Sequence, residues 1–175
     1  MMHPEHSRKL VATLTVLLLL GFQPAADAQQ SIRSSIEYTK GTQAMERGDY
    51  EQAAMELAEA VRLDPLLSRN QTNYAAALFE LGRYADGWPH ARKGVLLDPT
   101  NVQAQNNSRR YIKQLLADAG LNTGAPLEQI VEVLGEPDGV RQQGECLFYR
   151  YGISALCFQN GIFKSIGNLQ WKPRN

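Results

Sequence analysis

The feature that most constrains the fold is a self-match at an offset of 34 residues. Gly48-Asp49-Tyr50 recurs as Gly82-Arg83-Tyr84, and Leu63-Asp64-Pro65 recurs as Leu97-Asp98-Pro99. A period of this length is typical of stacked helix pairs, in which each pair buries its apolar face against the next. Such stacks present a concave surface to other chains, so the repeat favours recognition over catalysis.

The sequence also indicates where these helices begin and end. Gly48 and Gly82 are expected at the turns within the pairs, since glycine adopts positive φ readily, and Pro65 and Pro99 are expected to stop the second helices. Several polar residues are followed three positions later by Glu or Gln, which is the capping-box pattern of a helix N-terminus. These pairs are Ser34 with Glu37, Ser68 with Gln71, Thr100 with Gln103 and, in a similar arrangement, Asp49 with Gln52.

Small and aromatic residues at fixed positions make the chain similar to the tetratricopeptide repeat (TPR) family. The first unit matches with Gly41, Gly48, Tyr50, Ala53, Leu57, Ala60 and Pro65, and the second with Ala75, Gly82, Tyr84 and Pro99. The resemblance implies an α-helical TPR repeat module, an α–α superhelix, over residues 31–119, with units at 34–67 and 68–101 and a capping helix at 102–119. The second unit departs from the pattern at Gly87, Gly94 and Trp88-Pro89, so we expect a shifted helix start or a kink at Pro89.

The resemblance also implies that a protein or peptide partner lies against the first helix of each pair. The residues nominated in this way are Tyr38, Thr42, Met45, Thr72, Ala76, Phe79, Asn106, Arg110 and Lys113. For Phe79 and Met45, packing between helices is an equally good interpretation. The carboxylate clamp of the family is not expected, because Tyr38 and Thr42 stand where it needs Lys and Asn, and only Asn73 fits.

After the breaking residues 120–124 the pattern changes to that of a small α+β domain over residues 124–170. An apolar stripe from Leu127 to Leu134 at helical spacing predicts a helix closed by Gly135. Three alternating segments then predict a three-stranded antiparallel meander, and Asn160-Gly161 between the last two is a strong hairpin signal. The predicted strands are Cys146–Tyr151, Ala155–Gln159 and Ile162–Ile166.

This second part resembles the SmpA/OmlA (BamE-like) family. The resemblance rests on Leu134-Gly135-Glu136-Pro137 at the helix end and on the aromatic strand Tyr149-Arg150-Tyr151-Gly152. It implies either a role in envelope assembly or, as an alternative, a secreted or periplasmic inhibitor or regulator that acts through the sheet. Arg141, Arg150, Tyr149 and Tyr151 form a basic–aromatic cluster on the predicted hairpin, for which an exposed strand face is the simpler interpretation.

The N-terminal segment predicts export from the cytoplasm. Arg8 and Lys9 precede the 13-residue apolar run Leu10–Phe22 and a small-residue site ending at Ala28, the order found in a secretory signal peptide over residues 1–28. An uncleaved anchor is the alternative. After cleavage no stable membrane span is expected, and the predicted location is the bacterial periplasm or the exterior.

Two cysteines, Cys146 and Cys157, are present in the chain. If the chain reverses at Tyr151-Gly152, they face each other across two antiparallel strands, which predicts a disulfide in an exported protein. Two reduced thiols remain the alternative.

The chain offers little for catalysis, so we expect no enzymatic activity and no cofactor or metal site. His90 is the one histidine after residue 28, and no zinc motif or phosphate-binding loop is present. Equal numbers of basic and acidic residues, 18 each, argue against nucleic acid as the main partner. The sequence does not specify an oligomeric state.

Overall fold

The computed structural model describes residues 24–168, which form six helices followed by a four-stranded antiparallel sheet. The predicted signal peptide lies, up to residue 23, outside the described residues. The helices are α1 (Pro24–Glu46), α2 (Tyr50–Leu63), α3 (Ser68–Glu80), α4 (Tyr84–Leu97), α5 (Val102–Asp118) and α6 (Leu127–Leu134). The strands are β1 (Gly139–Gln143), β2 (Cys146–Tyr151), β3 (Ser154–Gln159) and β4 (Ile162–Asn168).

The predicted stack of helix pairs is present, with α1 and α2 forming the first hairpin and α3 and α4 the second. The 34-residue period extends to individual hydrogen bonds. Ser34 Oγ donates to the carbonyl of Ala60 at 3.1 Å, and Ser68 Oγ donates to that of Gly94 at 2.9 Å. These equivalent bonds tie the first helix of each hairpin to the last turns of the second, so the repeat marks real structural units.

Three of the four predicted capping pairs do not cap a helix, for the same physical reason. Ser68 donates to the Gly94 carbonyl, and α3 has no side-chain cap. α1 begins ten residues before Ser34, which is buried inside the helix and uses its hydroxyl to reach α2. At α5 the cap is Asn101, whose side chain accepts the Ala104 N–H, while Thr100 donates to Asp98 instead. A Ser/Thr followed by Glu/Gln three residues later therefore does not identify a cap when the hydroxyl has another partner.

The turns within the hairpins follow the sequence closely. Gly48 and Gly82 have φ of +74° and +70°, values that favour glycine. Asp49 caps α2 by accepting the Gln52 N–H. α4 begins at Tyr84, 34 residues after the start of α2, so the shifted start considered for the Pro89 region does not occur.

The two glycines that depart from the family pattern in α4 are sites of close helix approach. A Cβ atom at Gly87 would overlap the hydroxyl oxygen of Tyr111 on α5, and one at Gly94 would lie 2.7 Å from Thr72 Oγ1 on α3. Tyr111 is fully buried and donates its hydroxyl to the Ala75 carbonyl at 2.6 Å. The glycines are therefore required by packing and are not signs of a decayed repeat.

We expect Gly87→Ala to lower the free energy of unfolding by about 2 kcal/mol, because the added methyl group displaces the Tyr111 ring from a full core. Urea denaturation followed by circular dichroism measures this change. In Tyr111→Phe the nearest overlapping atom is removed, although Cζ of the ring would remain 2.5 Å from the added Cβ. The double variant should therefore lose less stability than the sum of the two single variants. Strict additivity of the two changes would contradict the proposed overlap.

The C-terminal sheet has four strands, so the predicted three-stranded meander is wrong in its strand count. The strand order is β1-β2-β3-β4, and the strand that the sequence did not reveal is β1, which pairs with β2 from Gly139↔Arg150 to Gln143↔Cys146. The Asn160-Gly161 turn has positive φ at both residues, 52° and 73°, as a type I′ hairpin requires.

Cys146 and Cys157 form a disulfide, with their Cα atoms 5.3 Å apart. The predicted register is wrong by two positions. Tyr151 pairs with Ser154, and Cys157 lies opposite Phe148, so the chain reverses at Gly152-Ile153. The cysteines share one face of the sheet because two positions is a full period of a strand.

The second hairpin holds the C-terminal domain through donors that reach the end of α6. Trp88 Nε1 donates to the Leu134 carbonyl at 2.9 Å, and Arg92 Nη2 donates to the Glu136 carbonyl at 2.6 Å. On the sheet side, the Tyr151 hydroxyl donates to the Gly135 carbonyl at 2.9 Å. Three successive carbonyls at the helix end are thus satisfied, and α4 and the sheet share one hydrophobic core.

Asp138 completes this contact. Its Oδ1 accepts Arg92 Nε at 2.9 Å and Nη2 at 2.5 Å, and its Oδ2 accepts the Gly152 N–H at 2.6 Å. We call Trp88, Arg92 and Asp138 with the three carbonyls the α4 clamp.

Candidate functional site

The first helices of the hairpins and α5 together form one face, which we call the inner surface. On α3 the residues of this face are three or four positions apart. Arg69 and Asn73 bond to α1, and Asn73 also accepts a bond from α5. The inner surface consists of Tyr38 and Thr42 on α1, Arg69, Asn73, Ala76 and Glu80 on α3, and Gln103, Asn106 and Arg110 on α5.

A chain of side-chain hydrogen bonds crosses the inner surface from α1 to α5. Asn73 Nδ2 donates to the Tyr38 hydroxyl at 2.8 Å, and Gln103 Nε2 donates to Asn73 Oδ1 at 2.8 Å. Asn73 is almost fully buried, and both ends of its amide are engaged. These two hydrogen bonds therefore fix the spacing of the three helices, and Asn73 links α1 to α5.

Two arginines of the inner surface lie over aromatic rings. Arg69 Cζ is 4.9 Å from the Tyr38 ring centroid, and Arg110 Cζ is 3.9 Å from the Phe79 centroid. Arg69 also donates to Ser35 Oγ at 3.3 Å, while Arg110 pairs with Glu80 at 3.0 Å. Both arginines are exposed, and a guanidinium has five N–H donors, more than these contacts use.

The structure brings Tyr38 and Arg110 to this surface but places other nominated residues elsewhere. Thr72 is buried at 1% exposure against Gly94 of α4, so its side chain is unavailable to a ligand. Met45 packs against the apolar core of the first hairpin, and the Phe79 ring contacts Tyr84 and Tyr111. These contacts favour the packing interpretation for Met45 and Phe79.

Two further nominated positions differ in their surroundings. Thr42 is half-buried and lies one turn after Tyr38 on α1. Lys113 lines a separate groove between α5 and β4, with Leu121, Phe163 and Ile166 among its walls. Lys113 therefore does not extend the row formed by Gln103 and Arg110.

Sequence reasoning missed Arg69, Gln103 and the role of Asn73 on this surface. A helical wheel of α3 would have placed Arg69 with Asn73, since the two are four residues apart. The family resemblance nominates Thr72 instead, at the position in α3 equivalent to Tyr38. The neighbours across the helix interface are offset instead, as the Tyr38–Asn73 bond shows.

His90 is held in a structural contact. Its Nδ1 lies 2.7 Å from Gln71 Oε1, and its ring meets the Tyr74 ring edge-on at 4.7 Å between centroids. Gln71 Nε2 donates to the Pro65 carbonyl, so its Oε1 is the acceptor and His90 Nδ1 carries the proton. Burial lowers the pKa of His90, and the positive charge of Lys93 adds to this effect.

The basic–aromatic cluster expected on the hairpin is divided between the two faces of the sheet. Tyr149 and Tyr151 pack into the core with α6, while Arg141 and Arg150 alternate with them along the strands and lie on the other face. Arg150 donates to the Asp138 carbonyl at 2.9 Å. The four residues therefore do not form a single site.

Residues 24–168 contain no group of three or more His, Cys, Asp or Glu side chains placed to hold a metal ion. Within the same residues, no helix combines the length and the apolar character needed to cross a membrane.

The comparisons with known proteins find a likeness to solved structures. No family model matches the chain, and no curated protein is similar to it. Among solved structures, the TPR domain of OM64 from Arabidopsis is similar at 20% sequence identity, with a TM-score of 0.48. The match covers 59% of this chain and 78% of that domain. The helical stack is instead shown by the hairpins, the turns and the equivalent hydrogen bonds of the chain itself.

Proposed function

We propose that this protein is an exported, non-enzymatic interaction or assembly factor that binds a segment of a protein partner on its inner surface. The observation that carries the proposal is the pair of oriented, exposed arginines on a face whose helices are locked in position by the Tyr38–Asn73–Gln103 chain. Rigid spacing lowers the entropy cost of binding, because the surface is already in its binding geometry.

Two further features support a binding role outside the cytoplasm. The disulfide on the sheet suits an oxidising compartment, in line with the signal peptide predicted over residues 1–28. His90, the one histidine of the described residues, is committed to Gln71 and Tyr74. General acid–base chemistry at that position therefore has no supporting geometry.

The direct test is site-specific photo-crosslinking in the producing cell. A benzophenone amino acid at Thr42 or Asn106 is expected to give discrete crosslinked protein bands, because both positions lie on the inner surface. The same group at Met55, which is 67% exposed on α2, serves as the matched control and should give none. Bands from Met55 with none from Thr42 and Asn106 would show that the inner surface is not the binding face.

A further inference from the structure

We infer that the bound segment is acidic and presents two carboxylate side chains, one to Arg69 and one to Arg110. This inference rests on the proposed function, since it names the chemistry of the partner at the same inner surface.

The guanidinium groups have the geometry that carboxylate recognition needs. Each lies over a ring, Arg69 on Tyr38 and Arg110 on Phe79, so its plane is held without using its N–H groups. The structure shows one N–H bond from Arg69, to Ser35, and one ion pair from Arg110, to Glu80. A guanidinium has five N–H donors, so each group keeps donors for a bidentate contact with a carboxylate.

Glu80 does not cancel the positive charge of this surface. Its pair with Arg110 is exposed on both sides, with side-chain exposures of 34% and 47%, and such pairs contribute little free energy. A partner carboxylate can therefore displace Glu80 or share Arg110 with it. The charged residues of the inner surface are Arg69, Arg110 and Glu80, and two separate guanidinium groups match isolated carboxylates better than a continuous phosphate backbone.

The positions of the two arginines set the spacing of the acidic residues. Arg69 lies in the first turn of α3, and Arg110 contacts Phe79 and Glu80 at the end of that helix. Ten residues of helix correspond to roughly 15 Å, and this is the least separation of the two groups, since Arg69 leans toward α1 and Arg110 projects from α5. An extended segment rises about 3.3 Å per residue, and residues four apart point to the same side, about 13 Å from each other. We therefore expect the two acidic residues to be at least four positions apart in an extended segment, and i and i+4 is the spacing to test first.

The experiment uses the full chain and the acetylated, amidated peptide Gly-Glu-Thr-Val-Thr-Glu-Gly, with NMR observation of the arginine Nε–H signals. The signals of Arg69 and Arg110 are expected to shift on titration, and that of Arg62 on α2 is not. Arg69→Gln and Arg110→Gln should each weaken binding about three- to five-fold, the range of an exposed ion pair. Arg62→Gln, which removes an exposed arginine paired with Glu59, is the matched control and should leave affinity unchanged.

Two control ligands decide the chemistry. A peptide with Gln in place of both Glu residues should not shift the two signals, and one with adjacent Glu residues should bind more weakly than the spaced peptide. Equal binding of the Gln peptide, or no shift with the spaced peptide, would overturn the acidic assignment. Larger shifts of both signals with a single-stranded oligonucleotide would overturn it in favour of nucleic acid. Crosslinks at Thr42 and Asn106 report on the proposed function separately, because they do not depend on the charge of the partner.

Discussion

Asp138→Ala is expected to lower the free energy of unfolding by about 3 kcal/mol, since it breaks a largely buried ion pair from one side. The Asp138 side chain is 9% exposed, and that of Arg92 is 22% exposed. Without the carboxylate, the guanidinium loses two of its hydrogen bonds and the Gly152 N–H loses its acceptor. Urea denaturation followed by far-ultraviolet circular dichroism measures the loss.

Asp86→Ala is the matched control on the same side of the molecule. Asp86 pairs with Arg83 at the start of α4, but both side chains are at least half exposed. This change should cost less than about 1 kcal/mol. If Asp138→Ala costs no more than Asp86→Ala, the α4 clamp does not hold the helical stack and the sheet together.

Trp88→Ala is expected to cost about 4 kcal/mol, because it empties a large buried site and leaves the Leu134 carbonyl without a donor. The Trp88 side chain is 6% exposed and belongs to the core that joins α4, α5, α6 and the sheet. The same denaturation experiment measures the change. NMR signals of β2 and β3 residues, followed in the same urea titration, show whether the sheet unfolds at a lower urea concentration than the helices.

One substitution separates the packing of the indole ring from its hydrogen bond, and a second serves as the control. Trp88→Phe keeps much of the ring but lacks the N–H, so it should fall between the wild-type protein and Trp88→Ala. Met55→Ala removes an exposed side chain of α2 and should change stability by less than about 0.5 kcal/mol. A Trp88→Ala protein as stable as the Met55→Ala protein would contradict the packing described for α4.

Local chemistry explains which parts of the fold the sequence predicts well. Gly48, Gly82 and the Asn160-Gly161 turn are correct because positive φ is a property of single residues. The helix over Leu127–Leu134 is correct in both of its bounds, since its apolar spacing and its closing glycine act within a few residues. The stack itself follows from a repeat that is visible as a period.

The errors arise where a residue serves a distant partner. Ser34 has the sequence of a helix cap but binds the Ala60 carbonyl across the hairpin. Gly87 differs from the repeat pattern because Tyr111, 24 positions later, occupies the space of its side chain. Strand β1 has Val140 as its single apolar side chain, so no alternation reveals it, and its pairing with β2 supplies the order.

The inner surface shows the same division. Its helices follow from the 34-residue period, and Tyr38 and Arg110, both nominated from the sequence, lie on it. The cross-helix neighbours could not be assigned, because the offset between Tyr38 and Asn73 depends on how the helices pack. Thr72, which the family resemblance nominates, is buried.

The α4 clamp makes the two ends of the helical stack different, because one end is covered and the other is exposed. On the α4 side the C-terminal domain occupies the end of the stack, so a further helical hairpin has no place to add there. On the α1 side, Ile32 and Ile36 are 61% and 48% exposed, one turn apart on the same helix. Ile36 is equivalent by the 34-residue period to Asn70, which is fully buried in the second unit. A protein engineer who wished to lengthen this array would therefore have to build outward from α1, with the C-terminal domain as a fixed terminus.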